Sequence, residues 1–234
     1  MGITADALLF DNDGTLVSSI ASVERCWNRW AAECGVPASE FAAVPRHGRT
    51  AAEIVADLLP PPRRAAGLAR IHQLEFDDLP GGVVPLPDTA GLLALLPRQR
   101  WAVVTSATRR LGEARLRAAG VDAPLVVAAD DVTRGKPDPE PFLLAAARLG
   151  VAPERCVVLE DAPAGLAAGR AAGMRTVALT TTHRAEELSA DLVVPDLSAL
   201  SVQVTAVGIT LAARPGEAVS GRGAIQHADE RLPS

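Results

Sequence analysis

Lysine is almost missing from this chain: of 23 residues of the Lys and Arg type, all but Lys136 are Arg. Basic runs and stripes are missing too, and the net charge is −5, which excludes nucleic acid as an expected partner. No apolar stretch reaches the roughly 18 to 20 residues that span a bilayer, so no membrane partner is expected. The N-terminal residues lack the basic, apolar and small-residue order of a secretory leader, and a cytoplasmic location is the expectation. Cysteine is scarce: Cys26, Cys34 and Cys156 are scattered, odd in number and form no Cys-x-x-Cys pair, as in a reducing compartment with small buried thiols.

What is present reads as a soluble α/β protein. The 234 residues, 48% hydrophobic and 22% charged, suffice for one sizeable core plus an insertion. Short apolar runs bounded by turn residues recur at Ala7–Phe10, Trp101–Val104, Leu125–Ala128, Cys156–Leu159, Thr176–Leu179 and Leu192–Val194, each the length of a buried strand. Helical patterns alternate with them. Asp88–Leu96 opens on an Asp cap and stops at Pro97, while Thr108–Ala119, Pro139–Leu149 and Ala162–Ala172 each stop at a glycine. This alternation predicts a doubly wound parallel sheet, a Rossmann-like core over residues 1–17 and 85–200.

About ninety residues separate the first two strands, far more than one crossover needs. Ser18–Cys34 is apolar on one face, Thr50–Leu59 follows a loop, and Pro61–Leu79 begins with proline. An all-helical cap over residues 18–84 is therefore expected, with Gly81 to Pro87 as its returning hinge and Trp27 and Trp30 in its own core. Past residue 200, Val202–Leu211 is expected as a last edge strand and Pro215–Ser234 as a mobile tail.

In doubly wound sheets, ligands bind outside the carboxyl ends of the strands. Asp11 and Asp13 follow the first strand, Thr105 and Ser106 the second, and Glu160 and Asp161 the run at 156–159. Lys136 lies in the turn Arg134-Gly135-Lys136-Pro137 ahead of a helix. Clustered carboxylates repel unless a cation or proton lies among them. Mg²⁺ takes oxygen ligands and keeps waters that a substrate phosphate displaces. The inventory thus points to phosphoryl chemistry, with Thr105, Ser106 and Lys136 available to phosphate oxygens. In a composition so rich in Arg, the single lysine is expected to serve as a compact, point-like ammonium.

The segments FDNDGTL, VVTSAT, RGKPDPEPF and VVLEDAPAG, in this order and spacing, resemble the four motifs of the haloacid dehalogenase superfamily, in its phosphatase branch with a small helical cap. HGRTAAEI, WAVVTSATRR and RGKPDPEPFLLAA are most similar to phosphatases acting on glycerol 3-phosphate, deoxyglucose 6-phosphate and hexitol phosphates. The resemblance implies Asp11 as nucleophile and Asp13 as general acid and base. It implies Thr105 and Lys136 as ligands of the transferring phosphoryl group, and Mg²⁺ held by Asp11, the Asp13 carbonyl and Asp161, with Glu160 at or just behind the metal. His47 and Arg49 fall where relatives of this cap type present a substrate loop. Asn12 stands where relatives often carry an apolar residue, and continued strand alternation would point it away from the reacting atoms.

The expected activity is Mg²⁺-dependent hydrolysis of small sugar or polyol phosphates by a monomer or weak homodimer. Three rivals share the motifs. A hexose phosphate mutase would shield the same aspartyl phosphate from water, a dehalogenase would not need Asp13, and a non-catalytic phospholigand sensor would have lost Asp11, Asp13 or a metal ligand. Phosphonate hydrolysis through a cap lysine is excluded, because the cap has none.

Overall fold

A computed structural model describes residues 2–46, 48–80 and 82–219. Strands β1 (Ile3–Ala5) and β2 (Ala7–Phe10) open the chain, and β3 (Val17–Ser18) leads into four helices: α1 (Ile20–Cys34), α2 (Ala38–Ala43), α3 (Ala51–Leu58) and α4 (Pro61–Asp77). The chain returns through β4 (Val84–Pro85) and α5 (Thr89–Ala94) to β5 (Trp101–Val104), α6 (Arg109–Ala118), β6 (Val126–Val127) and α7 (Glu140–Leu149). Then follow β7 (Cys156–Glu160), α8 (Pro163–Ala171), β8 (Arg175–Leu179), β9 (Leu192–Val194), β10 (Leu200–Thr205) and β11 (Gly208–Ala213).

Six strands form a parallel sheet in the order β6-β5-β2-β7-β8-β9. All four residues of β2 are buried, as are those of β5 and β7. Continuous apolar runs are what strands covered on both faces require. One face packs Leu8, Phe10, Val103 and Leu159 among the residues of the larger cluster. The other packs Leu9, Val104 and Val158 against Phe142 and Ala145 of α7 and Ala168 of α8. The order reverses direction at β2, where the chain winds first toward β6 and later toward β9. Such a reversal opens a crevice at the carboxyl end of the central strands.

The helices between β3 and β4 have a core of their own, with Trp27, Trp30, Phe41, Ile54, Val55, Ile71 and Leu74 buried together. The rings of Trp27 and Trp30 meet edge to face at 5.1 Å, and Trp30 Nε1 donates to the Gly67 carbonyl at 2.7 Å. Helix α3 starts at a reciprocal cap, in which Thr50 Oγ1 accepts from Glu53 N and Glu53 Oε2 accepts from Thr50 N. The two connections to the sheet pair with each other, Val17 opposite Pro85 and Ser18 opposite Val84. A two-stranded neck thus joins cap and core.

Several expectations are corrected. Asp88 precedes α5 but sits in the left-handed region at φ 60°, and its side chain makes no capping bond. Residues 38–43 form a short helix that six positions of weak pattern did not announce. Val202–Leu211 is not one edge strand of the parallel sheet. It spans a hairpin, β10 and β11, which pairs with β1 in a separate antiparallel sheet and buries Leu200, Ile209 and Leu211 against the main core. Most of the tail expected to be mobile, residues 220–234, lies outside the described residues. Among the described residues no helix is long and apolar enough to cross a membrane.

Candidate active site

β2 stops at Phe10 because the next residues curl into a tight loop. The Asn12 carbonyl accepts from the N–H of Thr15, Leu16 and Val17, at 3.3, 2.9 and 3.0 Å, while Asp11 N still donates to Leu159 O at 2.9 Å. This loop delivers Asp11 and Asp13 to the crevice end of the sheet. Gly14 has φ 93°, and a Cβ there would lie 2.3 Å from Asp161 Oδ2. Only glycine lets the first loop approach the end of β7 so closely.

Lys136, on the loop between β6 and α7, is 1% exposed. Its Nζ donates to Asp11 Oδ1 at 2.6 Å, Glu160 Oε1 at 2.7 Å and the Val104 carbonyl at 2.9 Å. An ammonium has three N–H bonds, and all three are used. The other oxygen of Glu160 accepts from the backbone N–H of Asp161 and Ala162, both at 2.9 Å. Both Glu160 oxygens are thus engaged in holding Lys136 and the turn into α8. Burial works against the Lys136 charge, but Asp11 and Glu160 outweigh it and hold the ammonium above its ordinary pKa.

Asp161 is 2% exposed, and its carboxylate accepts from Thr15 Oγ1 at 3.3 Å and from Thr182 Oγ1. Thr182 also donates toward its backbone carbonyl, and His183 Nδ1 lies 3.0 Å from the same carbonyl. Thr181 Oγ1 donates to Gly14 O. The segment after β8 therefore braces both the first loop and Asp161, a role that sequence reading missed because Thr180–His183 carries no motif of its own.

Asp11, Glu160 and Asp161 each bring a carboxylate oxygen within 4.8 Å of the others, and all three are buried. Burial first, then Glu160 and Asp13, push the Asp11 carboxyl up to about 7 against the lowering pull of Lys136. Burial, then Glu160 and Asp11, likewise raise Asp161 well above the ordinary carboxyl range. The donors are all oxygen and the negative charge exceeds what Lys136 balances. That chemistry fits a metal ion of the hard, oxygen-binding kind.

Asp13 is held from three sides. Ser19 Oγ donates to Oδ1 at 2.5 Å, Asn12 Nδ2 reaches Oδ2 at 3.3 Å, and Arg115 Nη1 pairs with Oδ2 at 3.1 Å. Asn12 thus does not point away from the reacting atoms, because strand alternation ends with β2 at Phe10. Its Oδ1 is buried without a hydrogen-bond partner. Ser19 and Arg115 had no sequence signal: one lies between the neck strand and α1 and the other looks like one more arginine on α6.

Thr105 is buried at the end of β5, where its N donates to Val127 O and its Oγ1 accepts from Ala107 N at 3.1 Å. Ser106 Oγ donates to the Gly48 carbonyl at 2.9 Å, tying the core to the cap loop. Arg49 borders the cavity, but its guanidinium pairs with Asp57 at 2.9 Å and donates to Pro45 O. His47 lies outside the described residues. Together cap and core enclose a cavity of about 300 Å³, floored by Asp11, Asp13 and Thr105 and roofed by Val23, Trp27 and Ile54. That volume suits a small molecule.

Comparison with known proteins places this geometry among relatives. A family model described as haloacid dehalogenase-like hydrolase matches residues 5–173. Hexitol phosphatase A of Escherichia coli K12 is 39% identical over 203 residues, 83% of this chain and 92% of that one. Validoxylamine A 7'-phosphate phosphatase of Streptomyces hygroscopicus subsp. limoneus is 38% identical over 206 residues, 81% of this chain and 93% of the relative. Among solved structures, CbbY of Rhodobacter sphaeroides in complex with phosphate superposes with a TM-score of 0.66 at 28% identity, covering 82% of this chain and 94% of that one.

Proposed function

The chain belongs to the haloacid dehalogenase-like hydrolase family, and from that premise we propose that it is a Mg²⁺-dependent phosphatase of small sugar or polyol phosphates. The names of its relatives, a hexitol phosphatase and a phosphatase of validoxylamine A 7'-phosphate, support this substrate class. One observation carries the chemistry: Lys136 bonds Asp11 and Glu160 at 2.6 and 2.7 Å beside a patch of carboxylate oxygens. A fixed cation next to a buried carboxylate steadies the negative charge that accumulates when the carboxylate attacks a phosphate ester.

In this reading a carboxylate oxygen of Asp11 attacks phosphorus and the bond from phosphorus to the ester oxygen breaks. Asp13 gives its proton to the departing alkoxide, leaving an aspartyl phosphate on Asp11 and an ionised Asp13. Asp13 then takes a proton from a water that attacks phosphorus, the bond from phosphorus to Asp11 breaks, and both groups are restored. Thr105 and Lys136 are the groups proposed to hold the phosphoryl oxygens, Lys136 by turning an N–H from one of its three acceptors, with Ser106 at the rim. Asp11, Asp161 and the Asp13 carbonyl would hold Mg²⁺, which when bound neutralises carboxylates and polarises a phosphoryl oxygen. Glu160, with both oxygens taken, orients Lys136. His47 and Arg49 are the residues proposed to contact the sugar or polyol portion, Arg49 from the border of the cavity. Cys26, Cys34 and Cys156 are unpaired among the described residues, in keeping with the cytoplasmic setting proposed.

Phosphate release from glycerol, pentose, hexose and hexitol phosphates, with Mg²⁺ and with chelator, tests the reading. Metal-dependent release concentrated on a few of these esters is expected. A glucose phosphate isomer accumulating without release would instead mean a mutase. Asp11→Asn is expected to abolish turnover with the fold intact, and retained activity would contradict the assignment.

A further inference from the structure

Arg115 is 4% exposed and lies on α6 of the core, yet its guanidinium does not serve the core alone. Nη1 lies 3.1 Å from Asp13 Oδ2, and Nη2 donates to Glu75 Oε1 at 3.2 Å. Glu75 belongs to α4 of the cap and is 6% exposed. Among the described residues, Arg115–Glu75 is the one ion pair that crosses from cap to core.

A buried guanidinium between a buried carboxylate, Glu75, and a partly exposed one, Asp13, is no better for stability than apolar residues of the same shape, because desolvation offsets the attraction. Their use is geometric: a guanidinium presents its N–H bonds in a rigid fork, so the place of one carboxylate constrains the place of the other. Asp13 has Ser19 on Oδ1, at the start of the cap, and Arg115 with Asn12 on Oδ2. One of these three contacts comes from the cap itself, and the Arg115 contact is tied to the cap through Glu75.

We infer that Arg115 and Glu75 form a positioning pair for the Asp13 carboxylate, with Glu75 acting only through Arg115 to hold the guanidinium where it aims Asp13 at the ester oxygen. This rests on the proposed role of Asp13 as proton donor. When the cap is seated, Glu75 shares the guanidinium and fixes its fork. With Glu75 withdrawn, Arg115 is free to turn and to draw the Asp13 carboxylate with it. Both side chains border the cavity, and neither is assigned a contact with the substrate.

A leaving-group comparison tests the pair. An alkoxide leaves phosphorus only with a proton, whereas para-nitrophenolate leaves without one, and kcat/KM covers the steps up to departure of that group. Arg115→Met is expected to lower kcat/KM for the preferred sugar phosphate by roughly 10- to 100-fold, part of what a general acid supplies, and to lower it for para-nitrophenyl phosphate at least tenfold less. Glu75→Gln, which keeps its shape, should show the same bias in smaller measure, and should add nothing to Arg115→Met. It also carries the test if Arg115→Met does not fold. Asp13→Asn serves as the reference. If Asp13→Asn discriminates between the two esters while both positioning variants lower them equally, Arg115 and Glu75 are structural and the inference is wrong. If Asp13→Asn itself treats both esters alike, the proton role of Asp13 fails and the positioning pair fails with it.

Discussion

Gly165 lies beneath Glu160 so closely that a Cβ at position 165 would come 1.7 Å from Glu160 Oε1, the oxygen that accepts from Lys136. No side chain fits there unless Glu160 moves, and Glu160 cannot move without loosening Lys136. Gly165→Ala should therefore act at a distance on the phosphoryl site. We expect a fall in kcat of about tenfold or more, with a stability loss of about 1–3 kcal/mol from overpacking. Steady-state kinetics beside a urea melt check it; unchanged kcat would show that Glu160 does not orient the lysine.

Lys136 is the site's test of shape against charge. Its ammonium meets three acceptors within 2.9 Å in a space that is 1% exposed. Lys136→Arg keeps the charge but brings a planar fork too large for that space, so activity should fall at least about a hundredfold even though the substitution is nominally conservative. Lys136→Met leaves Asp11 and Glu160 buried without their partner, and should cost about 3–5 kcal/mol in metal-free protein. Steady-state kinetics measure the first effect and denaturant melts of the metal-free protein the second.

The sheet strands were legible in the sequence because each is a short apolar run closed by turn residues, and all six of the expected runs became neighbours in one parallel sheet. The motif carboxylates and hydroxyls were legible because they stand at strand ends, where the sheet's winding brings distant segments together, and Lys136 because it is the single lysine. Asn12 and Asp88 were misread for one shared reason. Strand alternation and helix capping describe regular elements, whereas Asn12 sits in a tight loop closed on its own carbonyl and Asp88 in the left-handed region. Ser19, Glu75, Arg115 and Thr182 were invisible because nothing in their neighbours along the chain distinguishes them. Their meaning lies in contacts between 6 and 102 positions away.

Thr182 is the simplest of these to examine. Its hydroxyl donates to the carboxylate of Asp161 and to its carbonyl. Groups that orient a metal ligand commonly matter about 10- to 100-fold in metal affinity. Thr182→Val keeps the volume and removes the donor, so Mg²⁺ should bind about tenfold or more weaker by calorimetry, beside a metal-free stability loss of about 1–3 kcal/mol from the buried Asp161 acceptor left short of a partner. Equal affinity would remove Thr182 from the metal site.

The raised Asp11 carboxyl makes metal loading depend on pH in a direction that can be derived. Its ordinary value is 3.8, and in the folded protein burial first, then Glu160 and Asp13, lift it to about 7. A folded carboxyl above its unfolded value gives stability that is fully present below 3.8 and is lost as the pH climbs through about 7. Metal-free protein should therefore grow less stable, so far as this group is concerned, between those limits. A cation binding at the carboxylates must displace the proton, so its affinity should rise over the same interval and level off above it. The increase in Tm on adding Mg²⁺ is expected to be small near about pH 5 and largest at about pH 7.5, with protons released to the buffer on binding at the lower pH. Calorimetry in two buffers of different ionisation enthalpy counts those protons. In Asp11→Asn the group that titrates is gone, and the dependence should flatten to whatever Asp161, also raised by burial and by Glu160 and Asp11, still contributes.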